Sequence, residues 1–590
     1  MRVADYIIGW LYKKNIDKIF TVSGGGSIFL CDAMFANENI QYICCHHEQA
    51  VAFAAEGYAR VSKKTGVGIV TTGPGGTNAI TGVSSAWMDS VPLIMISGQV
   101  FENQTIAKRG VRQQGVQEIN IIDLVEKNTK WSVMLSKPDE IKFVLEKAFY
   151  IANSGRPGPV WIDIPADIQA TNIDIDKLKG YESDQELEET ALHEVKINEI
   201  AQKLLMSKRP IIHVGHGVKI SNAEKKLIKF VTKHQIPVLT TWNATGIIDS
   251  NNPCFVGRPG AFAERAANFN VQNSDFYLSI GSRLPFMVTG YNVEDFARNA
   301  FKVMVDIDKF ELENKKNLIN TCVCMDARNF IDKLSDLIPS NYKADKIWLD
   351  YCQNLRKKYP ILTDQAIKEK KWVNSYFFIS KLSELIDNKT NIITDMGLSF
   401  VGTHQAIAAK EGQNIITNSG HAPMGWGLPA SIGAKLSNEY QTISINGEGG
   451  FMMNIQELAT IMHHKLNIKI FIYNNGGYQT IKQTQQLGFQ GRLMGCNEES
   501  GLSFPSFNKI ANAHGIKYQQ INNHSELEKS LYSILESQEA YIVELMIDPE
   551  QPQIPKAVNK RLPNGKSQAS KFEDLYPFLP LAELDKNLIK

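Results

Sequence analysis

Residues 441–477, QTISINGEGGFMMNIQELATIMHHKLNIKIFIYNNGG, decide how this chain folds. TISIN and IKIFIY are short apolar runs of the kind buried inside parallel sheets. Each runs straight into a glycine loop: Gly447-Glu448-Gly449-Gly450 after the first, Asn474-Asn475-Gly476-Gly477 after the second. The intervening NIQELATIMHHK has the length and pattern of one helix, which carries the chain off the sheet and back to a neighbouring strand. A carboxylate and an amide oxygen then meet at the C-terminal ends of adjacent strands, where open α/β sheets bind ligands. Both are hard donors suited to Mg²⁺ or Ca²⁺, and neither fills a coordination shell alone, which invites a diphosphate and water. The plainer alternative is a pair of turns, for which Asn-Gly and Gly-Gly are ordinary residues.

Similar text extends in both directions. Upstream, DKIFTVSGGG (17–26), VGIVTTGPGGTNAI (67–80), VPLIMISG (91–98) and GPVWIDIP (158–165) are strand-to-loop passages, separated by helices such as the small-residue stretch EQAVAFAAEGYARVS (48–62). A second alternating block contains RPIIHVGHGVK, IPVLTTWNATG, DFYLSIGSRL and FKVMVDIDK, and a third adds NIITDMG and AYIVELMID. Strands alternating with helices predict an α/β fold of three doubly wound parallel-sheet domains. We place them at 1–170, 199–340 and 372–550. A polar, acidic linker spans 171–198, a lysine-rich helical linker 341–371, and a proline-bearing tail 551–590. The first and third blocks share a plan.

At 590 residues and 66.0 kDa the chain exceeds one hydrophobic core. Its 63 basic and 62 acidic side chains give a net charge of +1, so no global field recruits nucleic acid or an anionic membrane. The eight cysteines form no C-x-x-C pair, which excludes a zinc ribbon or a thioredoxin motif and suits reduced thiols in a cytoplasm. Val3, Ile7, Ile8 and Leu11 recur at helical spacing with charges between them, unlike a signal peptide. No apolar run is long enough to span a membrane. The expectation is a soluble cytoplasmic protein. TTGPGGTN alone fits a structural turn as well as a phosphate loop. G-x-G-x-x-G dinucleotide spacing and G-x-x-x-x-G-K-[ST] are both missing, which disfavours a Rossmann dehydrogenase or a P-loop NTPase.

Glu448 in its glycine loop followed by Asn474-Asn475 resembles the metal motif of the thiamine-diphosphate-dependent enzymes. SGGGSI (23–28), His47-Glu48-Gln49, EGYAR (56–60), TTGPGGTN (71–78), DSVPLIMISGQV (89–100), Gln117-Glu118 and SGRPGPVWIDIPADIQ (154–169) resemble their pyrimidine-binding half, and Met424–Ala430 the segment before the metal motif. The pattern is most similar to acetolactate synthase, over roughly residues 1–550. The resemblance implies pyrimidine, middle and diphosphate domains and a tail that closes over the active site. It implies that Glu48 contacts the pyrimidine and drives its tautomerisation, with Gly25 and Gln117 facing the reacting centre. Met424 is then the apolar wedge that bends the cofactor, and Ala422 and the Met424 N–H grip the pyrimidine edge. Glu448, Asn475 and the Gly477 carbonyl would ligate Mg²⁺. Gly449, Gly450, Gly397, Ser399 and the Asn475 loop would hold the diphosphate. The site would lie between two subunits of a homodimer or homotetramer.

Three departures bear on function. Glutamate replaces the usual aspartate at 448, and the glycines after it could absorb the extra methylene. Thr484 stands where acetolactate synthases carry a tryptophan, and Met287 where they carry the arginine that clamps the second keto acid's carboxylate. Losing a bidentate clamp argues against a keto acid as acceptor. Polar or basic side chains gather nearby instead, Lys482, Gln483 and Gln485 and the run Lys108-Arg109-x-x-Arg112, which reads either as a solvated loop or as a grip on a phosphorylated or nucleotide-linked acceptor. The implied activity is decarboxylation of a 2-oxo acid such as pyruvate, with transfer of the acyl carbanion to an acceptor carbonyl, for example a keto-sugar nucleotide. Acetolactate synthase proper, a 2-oxo-acid decarboxylase, an FAD-dependent oxidase and a catalytically degenerate regulatory subunit are the alternatives. GHG (215–217), VGRPGAF (256–262) and DID (306–308) resemble the middle domain that holds FAD in acetolactate synthase and ADP or nothing in other relatives.

Overall fold

The computed structural model of the chain describes residues 1–106, 110–183, 191–561 and 567–589. Its first sheet contains β1 (Lys18–Thr21), β2 (Gln41–Cys44), β3 (Gly66–Val70), β4 (Leu93–Gln99), β5 (Trp131–Met134) and β6 (Pro159–Pro165), in the order β2-β1-β3-β4-β6-β5. The middle sheet contains β7 (Pro210–Val214), β8 (Val238–Thr240), β9 (Phe276–Ile280), β10 (Phe301–Asp306) and β11 (Thr321–Cys324), ordered β11-β10-β9-β7-β8. The third contains β12 (Thr390–Thr394), β13 (Asn414–Ile416), β14 (Gln441–Gly447), β15 (Ile468–Asn474), β16 (Lys517–Ile521) and β17 (Tyr541–Met546), ordered β13-β12-β14-β15-β17-β16. Pairing is parallel throughout these three sheets. The first and third sheets have the same strand order, so the shared plan of the two blocks is a shared topology.

Each sheet is covered on both faces. Val67, Ile69, Ile94 and Ile96 pack under the N-terminal helix Val3–Lys13, while Val70, Leu93 and Met95 face the helices Glu48–Ser62 and Pro74–Met88. The core on that second face is continuous with the third domain through Leu428, Ile432, Phe451 and Ile470. Small residues make the junction. A Cβ on Gly57 would lie 2.2 Å from the Ala430 carbonyl, and one on Gly433 would lie 1.9 Å from that of Ala54, so helix Glu48–Ser62 meets helix Gly427–Ser437 backbone to backbone.

A buried ion cluster locks the same junction. Arg60 donates to Glu56 at 2.6 Å and to Asp89 at 2.7 Å, with all three side chains at most 1% exposed. Asn418 and Trp426 of the third domain donate to Glu56, and Asn243 of the middle domain donates to Asp89.

Three stretches differ from the sequence-based expectation. NIQELATIMHHK forms no single helix: Asn454 follows the end of a short helix (Glu448–Met453), a 3₁₀ turn (Ile455–Glu457) comes next, and only Leu458–His463 is α-helical. The Asn454 side chain is drawn out to Gln49 and to the Gly425 carbonyl, which holds the break open. Residues 341–371 are helical in part, but Trp348, Leu349 and Cys352 of helix Lys346–Lys358 are buried in the middle domain, so this helix belongs to that domain. The tail is fixed mainly to the middle domain: Glu573 pairs with Arg298, Arg265 donates to the Leu575 and Pro577 carbonyls, and Asn273 donates to the Asn587 carbonyl. Its first residues are held by helix Gln479–Gly488, where Gln479 and Gln483 donate to the Gln551 carbonyl, and by Ser375 and Tyr376. Part of the expected linker, 184–190, part of the tail, 562–566 and 590, and the basic pair Lys108-Arg109 lie outside the described residues. No helix of the described residues is long and apolar enough to cross a membrane.

Candidate active site

The three residues expected at the reacting centre converge on one loop, 71–75. A Cβ on Gly26, next to Gly25, would strike Thr72 Oγ1 at 1.8 Å; one on Gly73 would strike the Gln117 carbonyl at 1.9 Å; one on Gly75 would lie 3.8 Å from Glu48 Oε1. Gly25 itself faces open space. Gln117 is exposed and has φ +66°, a region that residues with a side chain occupy rarely and that is frequent at functional sites. Glu48 is half-buried and opens its helix. Asn78 Nδ2 donates to its Oε2 at 2.9 Å. Residue types far apart in sequence therefore meet because β1, β3 and β4 bring their C-terminal ends to one rim.

The second half of the site is built at the ends of β12, β14 and β15. Glu448 is buried at the start of its helix, and its Oε1 accepts the backbone N–H groups of Asn475 (2.8 Å), Gly476 (2.7 Å) and Gly477 (3.2 Å). Burial pushes its carboxyl up to about 7 against the pull of those N–H groups. Oε2 takes none of these bonds. Asn475 Nδ2 donates to Gln479 at 3.3 Å, while its Oδ1 is buried without a partner. Such an orphaned acceptor, beside a carboxylate with one oxygen to spare, fits a hard divalent cation. No group of three or more His, Cys, Asp or Glu side chains among the described residues could hold a metal. Any metal here therefore relies on amide, backbone and ligand oxygens to complete its shell. A Cβ on Gly447 or Gly476 would meet nothing within 4 Å, so the crevice between the two glycine loops is open. Gly397, with φ +79°, precedes helix Leu398–Ala406, in which Ser399 is buried and donates to the Met396 carbonyl.

The loop carrying Met424 is pinned at both ends. Asn418 Oδ1 accepts the N–H groups of His421 and Ala422, and Asp395 accepts those of Gly425, Trp426 and Gly427 at 3.1–3.3 Å. Burial holds the Asp395 carboxyl up at about 6. Ala422 has φ +57° and is exposed; Met424 is half-buried. Gly450 must be glycine for this arrangement, because a Cβ there would fall 1.5 Å from Asp395 Oδ2; on Gly449 it would meet the Tyr478 ring. Asn454 joins the two half-sites within one chain, donating both to Gln49 Oε1 (3.0 Å) and to the Gly425 carbonyl (2.8 Å).

Asp395, Asn418, Asn454 and Gln479 were not singled out from sequence. Asp395 closes an apolar strand ahead of a glycine, as Glu448 does, and that parallel is the signal that could have found it.

No hydrogen bond among the described residues joins any two of the residues expected around the acceptor. Lys482 is ion-paired with Glu550, which neutralises it. Thr484 donates to the carbonyl of Thr480 on its own helix. Met287 lines a separate cleft of about 400 Å³ between the first and middle domains, where its sulfur accepts from the Tyr291 hydroxyl. Arg112 is exposed. The same cleft is bordered by Arg156, His216, Gly217 and Asp306, and on its floor Asp89 Oδ1 and Asn243 Oδ1 are buried without partners.

The thiamine pyrophosphate enzyme family matches in three parts: its N-terminal TPP binding domain over residues 1–124, its central domain over 197–334 and its C-terminal TPP binding domain over 395–545. The chain belongs to this family; the middle sheet lies within its matched region, and the first and third sheets extend beyond theirs. It is 34% identical to a probable acetolactate synthase large subunit of Methanocaldococcus jannaschii, over 94% of each chain. It is 32% identical to the large subunit of acetolactate synthase isozyme 2 of Escherichia coli, over 93% of this chain and 96% of that one. The acetolactate synthase large subunit of Lactococcus lactis is 30% identical, over 94% and 93%. The protein is thus a thiamine-diphosphate-dependent enzyme of the acetolactate synthase type.

Proposed function

We propose that the chain is a thiamine-diphosphate- and Mg²⁺-dependent carboligase that decarboxylates a 2-oxo acid, pyruvate in the first instance, and transfers the acyl carbanion to the carbonyl of a keto-sugar nucleotide. When bound, the cofactor supplies a nucleophilic carbon and an electron sink. Glu48 would hold and exchange the proton at the pyrimidine nitrogen. Glu448 Oε2, Asn475 Oδ1 and the Gly477 carbonyl would ligate the metal. Gly397, Ser399, Gly449 and Gly450 would receive the diphosphate, and Ala422 and Met424 would orient the pyrimidine. Gly25 and Gln117 would leave room for substrate beside Glu48.

The observation that carries the acceptor reading is Met287. The resemblance puts the carboxylate clamp at position 287, where this chain carries an uncharged thioether, and a charge-assisted pair of that kind contributes about 2 kcal/mol, roughly 30-fold in discrimination. Arg112, exposed on the loop leading to Gln117, would meet an anionic acceptor; Lys482 is paired with Glu550. With pyruvate alone the enzyme is expected to form acetolactate at least about 30-fold more slowly than it consumes pyruvate with a nucleoside-diphosphate keto-sugar. Brisk acetolactate formation from pyruvate alone would identify acetolactate synthase proper, and free aldehyde without ligation a decarboxylase.

The cleft beside Met287 supports a flavin nucleotide. Its volume falls in the ~300–1,000 Å³ range of ligand sites, and two orphaned acceptors on its floor await N–H donors. FAD is expected to be released when the purified protein is denatured; a flavin-free protein with full activity overturns this part. The homo-oligomer with a shared site rests on the resemblance, and the cytoplasmic location on the eight dispersed cysteines without a C-x-x-C pair.

A further inference from the structure

Gln479 stands four residues beyond Asn475, on the first turn of helix Gln479–Gly488, and is buried. Its two amide atoms have different partners. Nε2 donates to the backbone carbonyl of Gln551, at the start of the tail, and Oε1 accepts from Asn475 Nδ2. A backbone carbonyl can only accept. Gln479 must therefore turn its NH₂ towards Gln551 and its oxygen towards Asn475, and Asn475 must answer with its own NH₂. The Asn475 oxygen is left buried and unpartnered. Gln551 is in turn held by Ser375, whose N–H donates to Gln551 Oε1 at 3.0 Å and whose hydroxyl accepts from its Nε2. Gln483 Nε2 donates to the same Gln551 carbonyl at 3.1 Å.

We propose that Gln479 is a positioning residue for the metal site: the Gln551 carbonyl fixes the polarity of the Gln479 amide, which fixes that of Asn475, so that an oxygen and not an NH₂ group faces the cation. The proposal rests on the reading of Asn475 as a metal ligand. It ties the tail to the metal site through two side-chain amides in series, and it explains why a glutamine is buried at a position where only its polarity is used. Removing the acceptor at 479 frees the Asn475 amide to turn over and present NH₂ to the metal, and loss of such an outer partner weakens metal affinity by about 10–100-fold.

The test is calorimetric titration of Mg²⁺ into the full chain saturated with thiamine diphosphate. Gln479→Met is expected to raise the Mg²⁺ Kd by about tenfold. Gln479→Glu, which offers Asn475 an oxygen in either orientation, is expected to keep or exceed the wild-type affinity. In an Asn475→Asp background, where both terminal atoms are oxygens, Gln479→Met is expected to change the Kd by less than about twofold, since there is no polarity left to set. An unchanged Kd in Gln479→Met overturns the proposal, as does equal weakening in both backgrounds or equal weakening by Met and Glu. Asn475→Ala separates the two readings: if it leaves Mg²⁺ binding intact, the metal-ligand assignment itself fails.

Discussion

Replacing Glu48 with glutamine is expected to leave thiamine diphosphate binding within about threefold of wild type and to cut turnover by roughly 10²–10⁴-fold, the usual weight of a general acid–base group. The geometry makes the substitution nearly silent in structure. Asn78 Nδ2 donates to Glu48 Oε2, and a glutamine oxygen accepts the same bond. Glu48 is half-buried at the first position of its helix, so the amide is isosteric and brings no new buried polar group. What it removes is the ability to hold and release a proton on the side facing loop 71–75. Cofactor titration of the variant alongside steady-state turnover checks this. Full activity refutes the role of Glu48; lost cofactor binding shows that the residue anchors the cofactor and does not move a proton.

The parts of this fold legible in sequence are those whose physics leaves a local trace. Interior strands such as β4 and β9 are covered on both faces and read as nearly continuous apolar runs. The edge strands β2 (QYIC), β5 (WSVM) and β16 (KYQQI) carry no such run, because one side of each has no partner strand and much of each is partly exposed, whereas the edge strand β8 (VLT) is buried throughout. The site divides in the same way. Glu448 and Asn475 are visible because glycines mark the ends of β14 and β15. The bonds that orient them are not, because Asp395 reaches Gly425, Asn454 reaches Gln49, and Gln479 reaches Gln551 only after the sheets have formed. Nor does the sequence show that a side chain's charge is already taken: Lys482 looks like a free cation until Glu550 is beside it.

Glu448 is expected to carry two separable burdens, and two substitutions should divide them. Its Oε1 satisfies three consecutive backbone N–H groups, from Asn475 to Gly477, at the end of β15. Glu448→Ala strips these of their acceptor in a buried setting. Even without metal or cofactor, the protein should lose about 2–4 kcal/mol of stability, as expected when buried donors lose their partner together with the packing of a long side chain. Glu448→Gln keeps an oxygen for the three donors, so unfolding of the metal-free protein should match wild type. It removes the negative charge and replaces the second oxygen with an NH₂ group, so its Mg²⁺ affinity in the presence of thiamine diphosphate should fall by about 100-fold or more. The glutamate side chain spans from β14 to the three N–H groups beyond β15 with Oε1 alone, and Oε2 takes none of those bonds. Thermal unfolding of the metal-free variants and Mg²⁺ titration measure the two burdens independently. Equal stability of Glu448→Ala and wild type would show that the loop holds itself, and tight Mg²⁺ binding by Glu448→Gln would remove Glu448 from the metal shell.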